Sequence, residues 1–161
     1  MLRLTITTDR DNGNLKPASA RKLEKLAKEH TMTTPSVPTR DITTVPTLVN
    51  AYGAGQRNFE YLALPDADLS GIDLKGTDLS YADLSGANLQ NANLRGADLS
   101  YANLSYANLT GIDLRGAMLI GTDLRTATLT AAQLHAADYD PEETHFPPGF
   151  DPVQQGLKAD R

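Results

Sequence analysis

The chain has 161 residues, a formal net charge of -5 and no cysteine. That length fits one compact domain with decorated ends, and the absence of cysteine removes disulfides, thiolate metal sites and thiol redox chemistry. A net acidic chain also does not suit general nucleic-acid binding, which rests on clustered Lys and Arg against phosphates. Charge is uneven along the sequence: residues 1–56 carry eight basic and five acidic side chains, 57–139 carry five and ten, and 140–161 carry two and five.

The start, Met1 to Asp9, lacks a long apolar run with a small-residue cleavage site, and no later stretch approaches the length of a membrane span. The protein is expected to be soluble and cytoplasmic. Leu2, Leu4 and Ile6 alternate with polar residues as in a strand, and Asp11-Asn12-Gly13 signals a turn. Pro17 to His30 reads as a short helix with Leu23, Leu26 and Ala27 on one side. Residues 1–30 thus form a small N-terminal β-α extension, too small to be stable alone. Met32 offers an alternative start of translation. Residues 31–46 are rich in Thr and Pro and read as a semi-extended linker.

Residues 47–56 read as a cap, a short helix ending near Gly53 that sets Leu48, Val49 and Tyr52 over the start of the next segment. That segment, residues 57–139, is a strict repeat. Leucine falls at every fifth position: Leu69, Leu74, Leu79, Leu84, Leu89, Leu94, Leu99, Leu104, Leu109, Leu114, Leu119, Leu124, Leu129 and Leu134, with Phe59, Leu64 and Tyr139 in the same register. A straight α-helix cannot bury this pattern, because five residues advance about 500° and the leucines spiral around the axis. A flat strand fails as well, since an odd spacing sends successive leucines to opposite faces. The chain must therefore turn once per unit and stack on itself.

Two residues before each leucine stands a small or short apolar residue, as at Ala82, Ala97 and Ile112, which shares the leucine's side of an extended backbone. The residue between them points outward and is Asp or Asn in nearly every unit, with Met118, Thr128 and Gln133 as exceptions. The fifth position, often glycine, falls where the chain bends.

This Ala-[Asp/Asn]-Leu-x-x array resembles the pentapeptide-repeat family, especially its cyanobacterial members, over about half the chain. The resemblance implies an all-β solenoid: a right-handed quadrilateral β-helix with four units and twenty residues per coil. About four coils, near 4.8 Å apart, then make a rod about 20 Å long. Such a solenoid needs covered ends. At one end lies the short helix just described; at the other, residues 140–161 resemble a closing segment in which Phe146 and Phe150 cover the last leucines or, alternatively, make a dimer contact. A monomer, or a weak homodimer joined through an end, is expected.

Catalytic chemistry finds little support. His30, His135 and His145 show no ligand spacing. No serine sits in a Gly-x-Ser-x-Gly elbow, the calcium-solenoid repeat is absent, and Gly53-Ala54-Gly55 is not a phosphate loop. No catalytic, metal or cofactor site is assigned. The outward Asp and Asn residues either solvate the surface or bond to backbone at the turns. If the coil holds twenty residues, Lys75, Arg95, Arg115 and His135 stack in one column, and Tyr61, Tyr81 and Tyr101 in another, with Tyr106 at the neighbouring corner. The basic column reads either as a mixed-charge solvated face or as a stripe for an acidic partner. The tyrosines read either as a structural stack or as an interface anchor. The expected function is a non-enzymatic interaction module that binds another protein. The alternative is a mimic of duplex DNA that inhibits a type II topoisomerase (gyrase), as some members of the family do. An enzyme site at the junction of residues 1–56 with the solenoid is a third class.

Overall fold

The computed structural model describes residues 36–160, so the expected N-terminal strand and helix, and Met32, lie outside the described residues. Parallel single-residue bridges join Asn58 to Asp78, Ala63 to Asp83, Asp68 to Asn88 and Asp73 to Asn93, and the twenty-residue offset repeats up to Met118 and Asp138. The backbone ladder behind them is regular: the Leu79 amide donates to the Asp98 carbonyl at 2.7 Å, and the Asp98 amide to the Thr77 carbonyl at 2.8 Å.

Each side of the coil is extended for only about three residues before the chain turns. The Ala82 amide donates back to the Leu79 carbonyl at 3.1 Å, and the equivalent bond recurs from Leu62 to Ala137. In these four-residue turns, that of Thr126 excepted, the third residue has positive φ, 59° at Tyr81 and 65° at Gly96, as in a type II turn. Four turns per twenty residues close a rectangle, and the repeat segment is a right-handed quadrilateral β-helix. Continuous strands are correspondingly scarce. Among the described residues only β1 (Asp138–Tyr139) and β2 (Lys158–Ala159), paired in parallel, reach two residues.

The leucines from Leu69 to Leu124, with Leu134, are buried in a continuous column beside Ala82, Ala92, Ala102 and their equivalents. A fully buried leucine contributes about 1.5–3 kcal/mol, so this interior is the main stabilising term. Thr77 and Thr122 replace the small residue at the cost of a buried hydroxyl, and each donates it to a carbonyl, Leu74 at 2.7 Å and Leu99 at 2.8 Å. Leu129 departs from the expected core: it is only half-buried. Its column holds Leu89 and Leu109 on one side, but no coil is laid on the other. After Tyr139 the chain leaves the twenty-residue register, the bridge from Asp123 to His145 spanning 22 positions, and regains it where Asp138 and Tyr139 pair with Lys158 and Ala159.

At the N-terminal end, α1 (Val45–Gly53) begins with a capping box between Thr44 and Thr47 and has Pro46 in its first turn. Leu48 and Ala51 are buried and Tyr52 partly so, which is the i, i+3, i+4 face of a helix. Val49, expected on that face, is 48% exposed. One residue on from Leu48 is about 100° around the helix, which turns it to solvent. The first coil is filled by Phe59 and Leu62, both fully buried, and by Ile42 at 2% exposure. The Gln56 side-chain amide holds the Val37 backbone at both N–H and C=O, each at 2.9 Å. At the C-terminal end Phe146 packs edge-on to Tyr139 (5.6 Å) and stacks on Phe150 (4.8 Å), with all three at least partly buried. Among the described residues no helix is long and apolar enough to cross a membrane.

Candidate interaction surface

The outward Asp and Asn residues are occupied by the turns they precede. Asp98 Oδ1 accepts from the Ser100 amide at 2.8 Å, Asp68 from Ser70 at 3.1 Å and Asn103 from Ser105 at 3.1 Å. Asparagines also bond from coil to coil: Asn88 Nδ2 donates to Asp68 Oδ1, and Asn108 Nδ2 to Asn88 Oδ1, each at 3.1 Å. Hydrogen bonds from Ser70 hold the Asp68 carboxyl below its ordinary range. These carboxylates fix corners. No group of three potential metal ligands occurs among the described residues, and His135 and His145 are both exposed.

One corner is aromatic. Tyr61, Tyr81 and Tyr101 occupy the positive-φ position of successive coils, each at 59°. Their rings stack at 5.1 Å with interplanar angles of 15° and 11°, and they remain 68%, 47% and 46% exposed. The lower end of this stack is closed. A Cβ on Gly121, the next residue of the column, would lie within 2.5 Å of the Tyr101 ring, so the ring rests on bare backbone. The Tyr101 hydroxyl donates to Glu143 Oε2 at 3.0 Å, and this bond to a carboxylate raises its pKa. Tyr106, 75% exposed, stands apart at the adjacent corner beside Ser105, Asp123, Arg125 and Thr126.

The corner preceding the tyrosines carries Lys75, Arg95, Arg115 and His135, all exposed. Arg115 forks onto its own Asp113, with Nε at 2.9 Å and Nη2 at 2.6 Å. That contact holds the Asp113 carboxyl below its ordinary range and raises the arginine. Arg125 and Asp123 repeat the arrangement. Near the first coil, a groove of about 390 Å³ is lined by Pro38, Thr39, Arg40, Asn58, Glu60 and Tyr61.

Sequence reasoning missed Glu143, the Arg40 groove and the role of Gly121. A signal existed only for the last, as the one glycine in a column otherwise made of tyrosine. Thr126 holds the positive-φ position of its turn yet does not adopt positive φ, as expected for a β-branched residue, and its hydroxyl accepts the Tyr106 amide at 2.8 Å instead.

A coil of four repeated turns with side chains ranked along its corners defines a repeat scaffold. A family model described as pentapeptide repeats, in eight copies, matches residues 58–91, 77–116 and 107–138, and the chain belongs to that family. It is 54% identical to alr5209, a pentapeptide repeat protein from Nostoc PCC 7120, over 74% of this chain and 98% of that one, with a TM-score of 0.72. It is 38% identical to HetL from Nostoc sp. PCC 7120, over 60% of this chain and 47% of that one (TM-score 0.32). A thylakoid-lumen pentapeptide repeat protein of Arabidopsis thaliana is 32% identical over 62% and 63% of the two chains, with a TM-score of 0.40. A search of curated proteins gives no match.

Proposed function

We propose that the protein is a non-enzymatic protein-binding module, and that the corner of Tyr61, Tyr81 and Tyr101 is the face it presents. One observation carries this reading: three tyrosines are held in the left-handed region and remain 46–68% exposed. A side chain in that conformation costs about 1–2 kcal/mol, and at the neighbouring corner Gly76, Gly96 and Gly116 avoid it. Stacking offsets part of that cost, at about 0.5–1.5 kcal/mol per pair. A rigid row of tyrosines is also what binding hot spots are made of. The scaffold works in the cytoplasm without a cofactor, as a monomer or a weak homodimer joined at an end.

Affinity capture from the native host tests the assignment. The Tyr81→Ala/Tyr101→Ala variant is expected to lose its partner, and Arg95→Ala/Arg115→Ala to keep it. Undiminished capture by the tyrosine variant refutes the reading. A mimic of duplex DNA needs a long, uninterrupted acidic rod, and Lys75, Arg95 and Arg115 interrupt this one. Gyrase supercoiling is therefore expected to proceed unchanged in micromolar protein.

A further inference from the structure

The tyrosine stack has one closed end and one open end. Tyr81 is covered by a ring on both sides, and Tyr101 by Tyr81 and the Gly121 backbone. Among the described residues Tyr61 has a ring on one side only, and its exposure is 68% against 47% for Tyr81. Twenty residues earlier the chain is a 3-10 turn, Thr39–Asp41, rather than another coil corner. The free end of the stack therefore borders the groove formed by Pro38, Thr39, Arg40, Asn58 and Glu60.

We propose that this groove binds an arginine side chain of a basic protein partner, stacked on Tyr61 and paired with Glu60. The proposal rests on the reading of the tyrosine corner as the binding face, and adds the chemistry of what is bound. Glu60 is half-buried and makes no ion pair among the described residues. Its two hydrogen bonds, from Asn58 Nδ2 and Ser80 Oγ, are both 3.5 Å, at the outer limit of such contacts, so its oxygens keep acceptor capacity. A planar guanidinium stacks on the ring and forks onto the carboxylate together. A lysine supplies only a point charge, and an aromatic or proline side chain covers the ring while leaving the carboxylate desolvated and unpaired. The chain already uses the first half of this chemistry at its cap, where the Arg57 guanidinium lies 3.8 Å over the Tyr52 ring. Asp78 and Asp98, on the side of the rod leading into the same corner, also make no ion pair among the described residues and suit further basic residues of the segment. Arg40, at the groove's rim with its side chain 85% exposed and only 3.8 Å from Asp41, opposes an incoming cation weakly.

The test is a titration of the full chain, at low salt, with fluorescent peptides of alternating serine with arginine, lysine or glutamate. The arginine peptide is expected to bind about two- to fivefold tighter than the lysine peptide, the range of an exposed cation–π contact. Tyr61→Ala and the isosteric Glu60→Gln should each erase that preference. Tyr106→Ala, which removes an equally exposed ring elsewhere, should leave it intact, and Arg40→Ala should strengthen arginine-peptide binding. Thermal melts confirm that each variant is folded. Equal affinity for the arginine and lysine peptides overturns the proposal, as does a preference that survives Tyr61→Ala. Tight binding of the glutamate peptide that vanishes in Arg40→Ala also overturns it, by making the groove an acid-binding site. If the peptides show no preference while Tyr81→Ala/Tyr101→Ala still strips the native partner, the arginine assignment falls and the binding face stands. If neither effect is seen, both fall.

Discussion

Two neighbouring corners of the same rod solve one conformational problem in opposite ways. At Gly76, Gly96 and Gly116 the left-handed turn residue has no side chain, and the space around it is open. At Tyr61, Tyr81 and Tyr101 the same φ is imposed on three large aromatic residues. Since the backbone is equivalent and glycine has room at one corner, sterics do not select tyrosine at the other. The rings are retained either for one another or for something outside the molecule, and substitutions separate the two.

The largest expected effect does not distinguish the corners. Leu94 and Leu99, buried under the glycine and tyrosine corners respectively, are both fully enclosed, and either Leu→Ala change should lower unfolding free energy by about 2–5 kcal/mol in urea titrations. A much larger loss at Leu99 would mean that the tyrosine stack carries the fold. Next in size is the contrast between Gly121→Ala and Gly116→Ala. At Gly116 the new methyl meets open space, so only the left-handed strain of about 1–2 kcal/mol applies. At Gly121 the methyl also displaces the Tyr101 ring, adding about 1 kcal/mol of lost stacking. Smaller still is Tyr81→Gly, which sheds strain and two stacking contacts together and should change stability by less than about 1 kcal/mol. The reverse change, Gly96→Tyr, takes on the strain with no neighbouring ring and should cost about 1–2 kcal/mol.

The smallest effects come from titration, and they set the two corners at opposite ends of the pH scale. Arg115 holds Asp113 below its ordinary range in the folded state. Its contribution is therefore present above the unfolded carboxyl value, near 4, and is lost as pH falls through the lower folded value. Tyr101 is shifted upward by Glu143, so its contribution is complete below the unfolded phenol value, near 10, and is lost as pH rises through the folded value. Melting temperature should fall less steeply in acid for Arg115→Gln, and less steeply in alkali for Tyr101→Phe. Identical profiles for variants and parent would show that neither contact matters for stability.

Much of the fold was legible because burial is a local demand on a periodic sequence. Leucines five apart leave neither helix nor flat strand available, and the bend at every unit follows from that alone. The twenty-residue coil came instead from resemblance to a family. The N-terminal cap was partly legible: Leu48 and Tyr52 share a helix face, whereas Val49 was misplaced because the phase of a nine-residue helix is set by the surface it docks on. Ile42 was hidden in a Thr/Pro-rich stretch whose composition gives no sign of an anchored residue.

By itself the sequence determined that this chain coils and which residue types stand at the corners, because both follow from spacing along the chain. The tertiary structure alone decided which corner residues meet, that the stack is closed at Gly121 and Glu143 and open at Tyr61, and that Arg115 is ion-paired within its own unit while Glu60 makes no ion pair among the described residues. Those outcomes depend on hydrogen-bond register between coils and on how the two ends fold back. Neither is encoded in any single unit of five.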